Sequence, residues 1–144
     1  MTDGQHAAIP PDDYVVVDID PEPKRYDLKS VRGGWVEIRE MSHGENLARQ
    51  DMIMEMSVKM AEQGRKGPDT MDLKTKNEAT SAYDFKKCIV RHNLRHKDGR
   101  PYQFANPLDW SGKLNPRVGG EIESIIRKVN RWEDTPEAAD FTNE

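Results

Sequence analysis

The most regular apolar pattern in the chain lies near its end, where Val118, Ile122, Ile125, Ile126, Val129 and Trp132 recur at helical spacing. At about 100° per residue these six fall within an arc of roughly 120°, the stripe of an amphipathic helix that docks on a core. Asn115-Pro116 opens it as cap and first residue, since proline has no N–H to leave unpaired in the first turn. Gly119-Gly120 weakens those turns by about 1 kcal/mol per glycine relative to alanine, so the pair either allows close packing or lets the helix start fray.

Two earlier segments read as strands. Tyr14-Val15-Val16-Val17 is aromatic and β-branched and is followed by the breakers Asp18, Asp20, Pro21 and Pro23. Trp35-Val36-Glu37-Ile38-Arg39 follows Gly33-Gly34 and alternates apolar with charged side chains beyond Trp35, the signature of a half-buried strand. Paired across the intervening loop, the two predict a small antiparallel sheet with one face to be covered by helices.

Ser42-His43-Gly44-Glu45 has the spacing of a capping box, in which hydroxyl and carboxylate each accept from an otherwise unpaired N–H. A helix is expected from there to about Gln63, ahead of Gly64, Gly67 and Pro68. Residues 64–77 are polar and punctuated by Gly and Pro, the composition of an exposed loop. A second helix is expected over residues 78–94 with Asn77 as N-cap; Ala82, Phe85 and Ile89, flanked by Tyr83, Val90 and Leu94, make its apolar face. Lys97-Asp98-Gly99-Arg100 reads as a turn, Pro101-Tyr102-Gln103-Phe104 as a short extended segment, and Asn106-Pro107 as the cap of a helical turn carrying Leu108 and Trp110.

The helix over residues 43–63 carries two opposed apolar stripes, Leu47, Met54, Val58 and Ala61 on one side and Met52, Ile53, Met56 and Met60 on the other. A helix with one packed face needs only one of them. It is therefore either a central element sandwiched between the sheet and the other helices, or a core helix whose second stripe stays available to a partner. Methionine suits the second role, because its unbranched, polarizable side chain repacks against varied surfaces. Met52, Met56 and Met60 are the candidate partner-binding residues, and burial of such a stripe between two copies offers a route to self-association.

Composition modifies this picture at the ends. The chain of 144 residues fits one modest domain, and its 35% hydrophobic and 33% charged content leaves part of it unable to join a core. The net charge of -4 is unevenly spread: residues 1–23 hold six acids and residues 133–144 five, neither with any Lys or Arg, so that residues 24–132 stand at +7. Residues 1–13 and 133–144 are expected to be flexible, bracketing a single interaction domain over residues 14–132. No apolar run is long enough to span a bilayer, and the N-terminus lacks the basic start and apolar run of a signal peptide. The single cysteine, Cys88, excludes an internal disulfide framework and fits a reducing compartment.

Candidate chemistry is sparse. Cys88, His92 and His96 are spaced four apart, but on one helix the outer two stand roughly 12 Å apart, too far to share an ion held at about 2 Å. No Cys-x-x-Cys, His-Glu-x-x-His or Gly-x-Ser-x-Gly pattern occurs, and the glycine pairs lack the spacing of a phosphate-binding loop. No catalytic residue, metal site or cofactor is expected. Lys86, Lys87, Arg91, Arg95, Lys97 and Arg100 lie close together and suggest, as the alternative, a nucleic-acid-associated regulatory protein using residues 86–100; on a helix they spread around much of its circumference.

The order of features also resembles a known family. Tyr26-Asp27-Leu28, Gly34-Trp35-Val36-Glu37-Ile38-Arg39 and Met41-Ser42-His43-Gly44-Glu45 opening a long helix are followed by Cys88-Ile89-Val90, Asn93-Leu94, Asp98-Gly99-Arg100-Pro101, Asn106-Pro107 and Leu114-Asn115-Pro116 before the closing helix. This succession, across most of residues 24–132, resembles the tail assembly chaperones of long-tailed (siphovirus-type) bacteriophages. The resemblance implies a non-enzymatic protein of the host cytoplasm that binds tape measure protein, helps recruit tail tube protein during tail morphogenesis and is not retained in the virion. The fold expected from the residues is a mostly helical α+β domain, its small N-terminal antiparallel sheet packed against about three helices.

Overall fold

The structure is a computed structural model that describes residues 10–64 and 70–132. Most of the segments expected to be flexible, residues 1–9 and 133–144, lie outside the described residues. The fold is α+β. Strands β1 (Lys24–Asp27), β2 (Trp35–Ile38) and β3 (Ile89–His92) form one antiparallel sheet in the order β1-β2-β3. Helices α1 (His43–Gly64), α2 (Thr70–Cys88), α3 (Pro107–Trp110) and α4 (Pro116–Asn130) complete it.

β2 is central because both of its edges are paired, with β1 on one side and β3 on the other, and its side chains alternate between the two faces. Val36 and Ile38 are buried, while Trp35 and Glu37 face outward beside Arg25 and Arg91. The core joins Leu28, Val36 and Ile38 to Phe85 and Cys88 of α2 and to Val118, Ile122 and Ile126 of α4. Phe104 and Trp110 close its end, both ring-edge to Phe85 at centroid distances of 5.4 and 5.0 Å. Truncating a residue such as Ile122 to alanine would cost about 2–5 kcal/mol through lost burial and the cavity left behind.

α4 follows its sequence pattern closely. Asn115 Oδ1 accepts from the Arg117 N–H at 2.9 Å, and the helix ends at Arg131 in the left-handed conformation. The two glycines differ in role. Gly119 is buried with a virtual Cβ only 3.2 Å from Leu114, so it permits close packing, whereas Gly120 faces open space. The Asn106 cap of α3 also forms, its Oδ1 accepting from the Leu108 N–H at 3.1 Å.

Three expectations are corrected. Tyr14-Val15-Val16-Val17 is no strand; Val15, Val16 and Val17 are 80%, 86% and 86% exposed, and the partner of β2 is the polar Lys24–Asp27. The second helix begins at Thr70, not after Asn77, so the expected loop 64–77 is largely helical outside residues 65–69, which are not described. It also ends at Cys88. Residues 89–92 become β3 because β2 offers a free edge, with Val36 opposite His92 and Glu37 opposite Arg91. Hydrogen bonding to a neighbouring strand there outweighs continuation of the helical apolar spacing.

Candidate functional site

The element that departs most from an ordinary core helix is α1. Ser42 and Glu45 form the expected capping box, the Glu45 N–H donating to Ser42 Oγ at 3.2 Å and the Ser42 N–H to Glu45 Oε1 at 3.0 Å. Arg39, just past β2, grips the same carboxylate with both terminal nitrogens, at 3.0 and 2.7 Å. Chiefly through that grip, opposed by burial and helped by the Ser42 N–H, the Glu45 pKa falls to about 2.

The next turn is anchored sideways. Tyr83 Oη donates to the Glu45 carbonyl at 2.8 Å, and Trp132 Nε1 to Asn46 Oδ1 at 3.1 Å. Arg49 binds Asp84 through Nε and Nη2, at 2.6 and 3.1 Å, and lays its guanidinium 4.0 Å over the Trp132 ring. Burial pushes the Asp84 carboxyl up even against that guanidinium. Arg49, Ile53, Asp84 and Trp132 share the wall of a polar cleft of roughly 670 Å³ at the root of the arm.

Beyond Arg49 the helix runs about 22 Å further, packed principally against α2 as one arm of a helical hairpin. Lys76 Nζ donates to Ser57 Oγ at 2.8 Å along this contact. No described side chain of α1 is buried. The helix is therefore not a sandwiched central element.

The two apolar stripes part accordingly. Glu45, Asn46, Arg49 and Ser57, which touch α2 or Trp132, share a face with Met52, Ile53, Met56 and Met60 at helical spacing, and these four are half-buried. Leu47, Met54 and Val58 point away, 46%, 66% and 50% exposed. The expected outward position of Met52, Met56 and Met60 is thus revised: the anchors on their own face turn them toward the hairpin. The candidate surface is the opposite stripe. The sequence displays both stripes, but nothing local to either ranks them.

The groups considered for chemistry occupy structural positions. Cys88 is buried, and burial, only partly offset by the Asn130 amide 3.7 Å from its sulfur, pushes the thiol up to about 11. That disfavours the thiolate a nucleophile or metal ligand needs. His92 lies in β3 and His96 in the following turn, so the three residues share no helix. His96 is buried, 2.9 Å from Asp109 Oδ2 and stacked on Tyr102. The N–H of Gln103, followed by His96, holds the Asp109 carboxyl below its ordinary range. Among the described residues no group of three or more His, Cys, Asp and Glu is placed to hold a metal, and no helix is long and apolar enough to cross a membrane.

The basic run is divided by the fold. Lys86 and Lys87 end α2, Arg91 sits in β3, and Arg95, Lys97 and Arg100 lie in the turn region beyond it. Arg91 is held by Glu37 in a two-pronged bond at 2.8 and 2.9 Å, Arg100 pairs with Asp98 at 2.9 Å, and Lys87 lies 5.7 Å from the Tyr83 ring centroid. Lys86, Arg95 and Lys97 are exposed.

Comparison with protein-family models, curated protein sequences and solved structures returns no match.

Proposed function

We propose that this protein is a tail assembly chaperone of a long-tailed bacteriophage, a non-enzymatic holder that acts in the host cytoplasm and leaves the assembly before the virion is complete. Its partners are the tape measure protein, with long apolar helical segments to be kept apart, and the tail tube protein recruited around it. The observation that carries the reading is α1, a long helix with no buried side chain among those described and an outward stripe of Leu47, Met54 and Val58. A helix laid along such a stripe is held by anchors at three- and four-residue spacing. Half-buried Met52, Met56 and Met60 form a second layer, available when α1 and α2 separate. The resemblance in motif order over residues 24–132 supports the same assignment.

The test is co-expression with a phage tape measure protein, followed by co-purification. Charge substitutions Met54→Glu and Val58→Glu sit on the exposed face and are expected to leave the circular dichroism melt intact while reducing capture by about tenfold or more. Unchanged capture by these folded variants removes the outward stripe from the proposal. Unchanged capture by Met52→Glu and Met56→Glu as well removes α1 altogether. Duplex DNA titrated in parallel decides the alternative reading: binding that weakens steeply with salt and is lost in Arg95→Glu/Lys97→Glu would replace the chaperone with a nucleic-acid regulator.

A further inference from the structure

One edge of the sheet is built like a receptor for an extended peptide. β1 is an edge strand, and Tyr26 and Leu28 direct their backbone groups to Val36 and Gly34. By the alternation of an antiparallel ladder, Arg25 and Asp27 turn theirs outward. Between this edge and α4 runs an open groove of roughly 810 Å³. Its apolar lining is half-buried Tyr26, Ile125 and Val129. Glu121 secures the far wall, accepting from the N–H groups of Lys29 and Ser30 at 2.7 and 2.8 Å. A strand edge facing a helix across an apolar floor is the arrangement by which sheets accept an added strand.

The same chain carries a matching strand. Val15, Val16 and Val17 have the β-branched composition of a sheet residue, yet no strand pairs with them among the described residues, and each is at least 80% exposed. The charges are complementary as well. Asp13 and Asp18 flank the apolar run, while Lys24 and Lys29 lie toward the two ends of the β1 edge. Asp20 and Glu22, which follow the valines, line the adjoining hollow with Lys24, Lys128 and Arg131.

We propose that Val15–Val17 of one copy of this chain adds as a strand to β1 of a second copy, Val15 and Val17 entering the β1–α4 groove from one side of the added strand, in a symmetric dimer where the exchange occurs twice. Two-fold symmetry makes the contact self-limiting, since each copy gives one segment and receives one. It also removes the exposed sheet edge and the exposed valines together. The surface is separate from the outward stripe of α1, so dimerisation and partner capture fail independently.

The full-length chain is to be studied by sedimentation velocity from about 1 to 200 µM, a span set to bracket a dimer of micromolar affinity. A concentration-dependent dimer is expected. Val15→Lys/Val17→Lys, at positions exposed in the monomer and expected to leave the monomer's melt at low concentration unchanged, is expected to weaken the dimer by about a hundredfold. Asp13→Lys/Asp18→Lys and Lys24→Asp/Lys29→Asp are each expected to weaken it about tenfold, and their combination to restore it. Three results overturn the proposal. They are a dimer indifferent to the valine substitutions, a chain monomeric throughout the range, and protection of the residue 15–17 amides from hydrogen exchange in a monomer, which would mean that the segment closes on its own β1.

Discussion

His92 uses both ring nitrogens. Nδ1 accepts from the Leu94 N–H at 3.0 Å and Nε2 lies 2.9 Å from the Tyr102 carbonyl, which together require a neutral ring with its proton on Nε2. Burial lowers its pKa below the ordinary 6.5, against the opposing effect of the Tyr102 carbonyl. As pH falls past about 6.5 the unfolded chain therefore takes up this proton before the folded one does, and stability is lost toward the lower, folded value. His92→Gln is expected to flatten the decline of the urea midpoint between about pH 7 and pH 5; an unaltered slope removes His92 as its source. Arg49 and Asp84 form the second residue-scale device, with side chains 20% and 9% exposed. Arg49→Met leaves a buried carboxylate without its partner and is expected to cost about 3 kcal/mol at neutral pH, whereas Arg49→Met/Asp84→Leu costs less than that single change. Urea denaturation of the variants tests the coupling, which is absent if the losses simply add.

At the scale of elements, the legible parts were those whose signals are local. The capping box of α1, the Asn-Pro starts of α3 and α4 and the apolar arc of α4 each depend on residues within one or two turns, and all were readable. Strand pairing depends on distant edges. Lys24–Asp27 has no apolar run to mark it, yet it pairs with β2, while the strongly β-branched Val15, Val16 and Val17 have no strand beside them among the described residues. Ile89–His92 continues a helical spacing and still forms β3, because the edge of β2 supplies its hydrogen bonds. The β1–β2 turn shows how tightly such pairing is built: a Cβ on Gly34 would lie 2.6 Å from Val31 Cγ1 and 3.2 Å from Leu94 Cδ2. Gly34→Ala is accordingly expected to cost about 1–3 kcal/mol through overpacking, read as a lowered melting temperature. An unchanged melt would show that Val31 and Leu94 move aside freely.

Across the whole molecule, stability is unevenly distributed. The sheet, α4 and the C-terminal half of α2 share one core, while the distal part of α1 has no buried side chain among those described. Amides over residues 51–60 are expected to exchange through local openings well below the global unfolding free energy, and those of Ile122 and Ile126 only near it. Native-state hydrogen exchange in a denaturant series measures this, and equal opening free energies for both groups would make the arm part of the core. An arm that opened in this way would let the proposed capture of a partner proceed without unfolding the domain.

The sequence by itself determined that the chain is α+β, that a capped helix begins near Ser42 and an amphipathic one at Pro116, and that the long helix bears two apolar stripes. Those features follow from hydrogen bonds and side-chain spacing within a few turns. Only the tertiary structure decided which segments pair as strands and which stripe faces out. Met52, Met56 and Met60 turn inward because Arg49, on their own face, reaches Asp84 thirty-five residues away and Trp132 beyond it, leaving Leu47, Met54 and Val58 outside. Two stripes of similar hydrophobicity are equivalent on an isolated helix; a polar anchor to a distant residue breaks that equivalence, and such an anchor exists only after the chain has folded.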